Sequence, residues 1–137
     1  MENLVFTWRS QMAETRKERV ERRKHKRFQA PKGVFIEIGP HDAQVGRLRN
    51  ISMVGLAFRY LGIEIPVSGS YVDIFMTKGD FYLGKLPIKI VSDVRIVKTT
   101  SSDGITLREC WVEFEKLTPQ QEAKLKEFIE THTVGEA

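Results

Sequence analysis

Between Gly33 and Phe114 the sequence is cut by turn residues into short runs of β-forming side chains. Val34-Phe35-Ile36-Glu37-Ile38 stops at Gly39-Pro40, and Gln44 to Ile51 alternates loosely. Leu56 to Tyr60 ends at Gly62. Tyr71 to Met76 follows the breakers Pro66, Ser68 and Gly69. Lys78-Gly79-Asp80 reads as a hairpin turn. Phe81 to Val97 is one long bent strand or two, interrupted near Pro87 or at Ser92-Asp93. Ser101-Ser102-Asp103-Gly104 turns the chain again, and Leu107 to Phe114 is the last run. Many short strands in succession are accommodated best by a sheet closed on itself. The expected fold is therefore mainly β, a six-stranded antiparallel β-barrel.

A helix follows the barrel. Thr118 is placed as its N-cap, Pro119 at N1 and Gln121 at N3, a capping-box arrangement, and Ala123, Leu125, Phe128 and Ile129 supply an apolar face. Ahead of the barrel, Leu4, Trp8 and Met12 recur at helical spacing, and Glu14, Glu18 and Glu21 sit among arginines with which they can pair. The organisation expected is an N-terminal helical or flexible arm over 1–21, a barrel domain over 22–131 and a disordered tail over 132–137. A chain of 137 residues suits one such domain.

Several functions are disfavoured by what the residues lack. Cys110 is the only cysteine, so neither an intrachain disulfide nor a cysteine-based metal site can form. His25, His41 and His132 have no metal-ligand spacing, and no metal or other cofactor is expected. Gly79 to Lys85 matches the phosphate-cradling GxxxxGK pattern, but Leu86-Pro87 follows where Ser or Thr and a helix are required. No nucleophile elbow is present, so the chain does not read as an enzyme. The apolar start, Met1 to Trp8, is too short for a secretory signal, and no run is long enough to span a bilayer. A cytoplasmic protein without membrane insertion is expected.

The net charge is a mild +4, but its distribution is uneven: eight of the twelve residues from Arg16 to Arg27 are Lys or Arg. Such a run is either a solvated face or a phosphate-binding element. Within it, Arg23 and Arg27 form R-x-x-x-R. Some twenty residues later Asn50-Ile51-Ser52-Met53-Val54-Gly55 forms N-x-S-x-x-G. In this order, ahead of a β-rich domain with a closing helix, the two motifs resemble those of the PilZ family over roughly residues 22–131. One departure stands out. The family often has Gly at the start of a G-x-x-F pattern before the helix, and here Trp111 holds that position ahead of Phe114.

The resemblance implies reception of cyclic di-GMP, through Arg22, Arg23, Arg27, Asn50, Ser52 and Gly55, and signalling to a partner protein. In the family such outputs include motility, pilus function, exopolysaccharide synthesis and biofilm formation. The chemistry is reasonable for those residue types. An arginine fork matches guanine N7 and O6 or phosphate oxygens, and Asn50 offers an amide to a guanine edge. Gly55 allows a close approach of backbone to a flat base or a turn at positive φ. The bland alternative is turn chemistry at Asn50 and Ser52 and an ordinary bulge glycine at Gly55. Like-charge density leads us to expect the basic segment to be mobile without an anion. Arg22, directly before the motif, is a third guanidinium. In proteins this chain resembles, an arginine there tends to accompany an intercalated dimer of the nucleotide. Cys110, Val112 and Phe114 are expected on the core face of the last strand and Trp111 and Glu113 outside, so Trp111 either packs under a neighbouring segment or stacks on a base. The competing readings are a PilZ-like adaptor that binds no nucleotide and a nucleic-acid-binding barrel with a basic arm. For the latter the sequence lacks an obvious run of stacking aromatics, and no DNA or RNA partner is expected.

Overall fold

The computed structural model describes residues 25–40, 44–63, 68–79, 81–96 and 105–137. Seven strands and one helix are present among them: β1 (Phe28–Gln29), β2 (Val34–Gly39), β3 (Gln44–Ile51), β4 (Gly55–Ile63), β5 (Tyr71–Met76), β6 (Tyr82–Arg95), β7 (Ile105–Phe114) and α1 (Pro119–His132). The sheet runs β1-β3-β2-β5-β6-β7-β4, and β4 pairs back onto β3. Strands β2 to β7 thus close into a six-stranded antiparallel barrel, with β1 as one extra strand on β3. This is the expected fold class.

Alternation builds the core. Val34, Ile36 and Ile38 of β2 point inward, with Val72 and Ile74 of β5, Leu56 and Phe58 of β4, and Cys110 and Val112 of β7. Burial pushes the Cys110 thiol up to about 12, so it is a neutral core side chain. Helix α1 closes one end of the barrel. Its Leu125, Phe128 and Ile129 are buried, and Phe128 packs 4.9 Å from the Phe81 ring. Ala123, expected on that face, is exposed. The capping box is formed, and Gln121 also donates from Nε2 to the carbonyls of Gly84 and Lys85, which ties the helix start to β6.

Where one bent strand or two were expected, β6 is one strand over Tyr82–Arg95. Bulges between Val72 and Ile74 and between Ile90 and Ser92 bend the sheet. The first part of β6 pairs with β5 up to Pro87, and the rest pairs with β7 from Ile88 onward. Pro87 therefore stands at the change of partner, where a missing N–H disturbs the ladder least. The GxxxxGK match lies on the hairpin turn at Gly79 and along β6, with no helix after it.

Two features differ from expectation. The region before Gly33 contains strand β1, whose Phe28 and Gln29 pair with Ile51 and Asn50. Of residues 132–137, expected as a disordered tail, His132 ends helix α1 and Val134 to Ala137 lie against that strand. Gln29 donates its N–H to the Gly135 carbonyl, and Val134 donates back to Gln29. Ala137 donates to Arg27, and Lys26 pairs with Glu136 at 3.1 Å. Backbone pairing with a distant segment, not local composition, orders this end.

Candidate functional site

The turn joining β3 to β4 is fixed by the N-x-S-x-x-G residues themselves. Ser52 donates its N–H to the Gly55 carbonyl at 2.8 Å, and its Oγ accepts from the Val54 N–H at 3.1 Å. Phe114 donates its N–H to the Val54 carbonyl, which ties the turn to the end of β7. The turn chemistry weighed for Ser52 is therefore real, and it positions the motif. Gly55 is needed for close approach rather than for a positive φ. A Cβ there would lie 2.3 Å from the Val112 carbonyl oxygen and 3.1 Å from Trp111 Cζ2.

That approach lets Trp111 lie over the β4–β7 junction on the outer face of the barrel, with Ala57 as its register partner. Phe114 is only half-buried, at the edge of the core. The Arg27 guanidinium lies 4.1 Å above the Trp111 ring, a stacked cation–π contact. Together with His25, Ser52, Val54, Glu113 and Phe114, these two residues line an open recess of about 480 Å³. The volume falls in the range of small-molecule sites.

Asn50 pairs with Gln29 of β1 and Ala57 of β4, so Gln29, Asn50, Ala57 and Trp111 share one row across the sheet. Asn50 Oδ1 is buried and has no hydrogen-bond partner. An unpaired buried acceptor costs about 1–3 kcal/mol, so a donor brought by a ligand would be favoured there.

The structure brings Arg27, Ser52 and Trp111 to one recess, places Gly55 beneath Trp111 and sets Asn50 two strands away in the same row. Arg22 and Arg23 lie outside the described residues. Arg27 lies over Trp111, and its carbonyl accepts from the Ala137 N–H. Sequence reasoning missed His25, Val54, Glu113 and Phe114 as lining residues. Glu113 carried a signal, since it shares the outward face of β7 with Trp111.

A second polar cluster has all its partners inside the protein. Asp93 of β6 accepts from Arg108 Nε of β7 at 2.9 Å and from the hydroxyl of Tyr60 on β4, and both side chains of the ion pair are under one-tenth exposed. Burial works against the charge on Arg108, but the hydrogen bond and charge attraction to Asp93 together with those to Tyr60 outweigh it and raise the guanidinium above its ordinary value. Among the described residues no group of His, Cys, Asp and Glu could hold a metal ion, and no helix is long and apolar enough to cross a membrane.

The model of the PilZ domain matches residues 21–131. The fold resembles the PilZ domain with c-di-GMP of YcgR from Escherichia coli, with a TM-score of 0.62 at 17% identity over 81% of this chain and 91% of that one. It also resembles the K. pneumonia MrkH–c-di-GMP complex, with a TM-score of 0.53 at 14% identity over 80% of this chain and 51% of that one. A third likeness is to the Bacillus subtilis inhibitor of motility, MotI, with a TM-score of 0.54 at 13% identity over 80% and 49%. The chain thus spans about half of the MrkH and MotI chains. No curated protein matches it in sequence.

Proposed function

Since the chain belongs to the PilZ domain family, a family of ligand-binding receptor domains, we propose that it is a cytoplasmic receptor for cyclic di-GMP that signals to a partner protein. The observation that supports this reading is Arg27 lying over the Trp111 ring at the recess beside the Ser52 turn. A guanidinium in that place offers its fork to guanine N7 and O6 or to a phosphate. The indole offers a face for a base once the arginine shifts. Asn50 Oδ1 is an acceptor without a partner, and the guanine edge carries N–H donors. The YcgR and MrkH structures that the fold resembles are complexes with c-di-GMP.

Arg23 completes the motif with Arg27, and Arg22 adds a further cation. A single nucleotide leaves little for a third arginine, whereas an intercalated dimer offers another N7/O6 edge and more negative charge. The site is accordingly proposed to take about two nucleotides per chain, and binding to draw the basic segment onto the barrel, a change a partner can read.

Isothermal titration of the full chain with cyclic di-GMP, and separately with single-stranded DNA, tests the proposal. Saturable binding of the dinucleotide at a ratio near two is expected. No binding would leave the adaptor reading, and preferential binding of DNA would favour a nucleic-acid barrel. A ratio near one would overturn the dimer alone. If the ratio is near two, Arg22→Leu should lower it and leave binding intact.

A further inference from the structure

The outer face of β3, β4 and β7 carries a second recess, at the opposite end of these strands from Trp111. It is also about 480 Å³ and is lined by Gln44, Val45, Arg47, Arg49, Arg59, Tyr60, Leu61 and Leu107. Two cross-strand rows build it. Arg47 faces Arg59, which faces Glu109; beside that row Leu61 faces Leu107. Leu61 is 64% exposed and Val45 48% exposed.

This arrangement does little for the fold. Arg47 and Arg59 are like charges directly opposite each other, which disfavours strand pairing. Arg59 is compensated by Glu109 at 3.1 Å, while Arg47 and Arg49 are in no ion pair among the described residues. Exposed aliphatic side chains beside them cost solvation and cover no core. Arginine with aliphatic anchors is, however, a composition suited to a protein interface, where the guanidinium stems also pack.

We infer that the Arg47–Arg49–Arg59 face, with Val45, Leu61 and Leu107, is a docking surface for an acidic protein segment that carries aliphatic side chains. Charge complementarity selects the acidic groups, and the Leu61–Leu107 row receives the aliphatic ones. Recognition is through side chains. Pairing of β3 with β4 stops at Arg47–Arg59, and beyond it Gln44 donates from Nε2 to the Leu61 carbonyl, which spans the gap between the strands. Nucleic acid fits less well, because Tyr60, the one aromatic of the lining, is only 3% exposed and leaves bases nothing to stack on. The surface exists whichever ligand the Trp111 recess takes.

The test is selection of random peptides displayed on phage against the purified full chain, followed by fluorescence anisotropy with the enriched peptides. Enrichment of Asp and Glu alongside Leu, Ile or Val is expected. The Arg47→Glu/Arg49→Glu double variant should weaken those peptides by about tenfold or more, and Leu61→Ser by a few-fold. Lys124→Ala, on the exposed side of helix α1, should leave them unchanged. All four positions are at least partly exposed, and circular dichroism checks that each variant is folded. Failure to enrich acidic peptides, or equal binding by the double variant, overturns the proposal. So does a dT oligonucleotide or an anionic vesicle that binds the wild type and loses binding in the double variant while the peptides do not.

Discussion

The Asp93 cluster and the Asn50 row are both polar structures on the same barrel, but they are finished differently. Asp93 receives Arg108 and Tyr60 from two neighbouring strands, so the charge is neutralised within the fold. Asn50 stands in a row that includes Trp111, and its buried oxygen has no partner. The first arrangement fixes the bent strand β6 against β7. The second leaves binding energy available to something that brings a donor. A saturated network is evidence of architecture, whereas an unsatisfied acceptor in the same cross-strand row as Trp111 is evidence of a site.

The contrast can be broken by mutation. Asp93→Ala should have the largest effect, because it strands a buried guanidinium and a tyrosine hydroxyl. A loss of about 3–5 kcal/mol in urea unfolding is expected. A loss below about 1 kcal/mol would mean the cluster is hydrated and not structural. Arg27→Ala should act the other way round. Affinity for cyclic di-GMP falls by an amount equivalent to about 1.5–3 kcal/mol in calorimetry, while the unfolding midpoint barely moves. Unchanged affinity would remove Arg27 from the site.

Gly55→Ala tests the ground on which Trp111 rests. The added methyl meets the Val112 carbonyl, and overpacking of this kind costs about 1–3 kcal/mol. Thermal melting should show that loss, together with a weaker quench of Trp111 fluorescence by ligand. Asn50→Ala is the smallest and most informative change. Stability should stay within about 0.5 kcal/mol, since removing an unpaired acceptor also removes its desolvation cost, yet nucleotide affinity should drop. A large loss of stability would show that Asn50 serves the fold as Asp93 does.

The barrel strands were legible because their ends are marked by local chemistry, such as Gly39-Pro40, Lys78-Gly79-Asp80 and the Thr118 cap. The outward placement of Trp111 followed from period two along β7. What could not be read was any feature made by residues distant in sequence. Strand β1 is two residues long and is held by Asn50, Ile51 and the tail. The Asp93 cluster needs three strands in register before its logic is visible. The site motifs were readable as patterns, but the stacking of Arg27 on Trp111 joins residues from opposite ends of the domain.

That last contact also bears on the order in which the molecule assembles. Gln29 bonds to Glu136 across a separation of 107 residues, while β2–β3, β3–β4 and β5–β6 are joined as hairpins between neighbouring strands. Long loops are closed at a higher entropic cost than short ones, and a two-residue strand gives little in return. The transition state for folding should therefore contain the hairpins but not the clasp between Arg27 and Ala137. The clasp is then a late element on the way in and an early one to loosen on the way out, so Arg27 belongs to the part of the chain that can let go while the barrel stays closed.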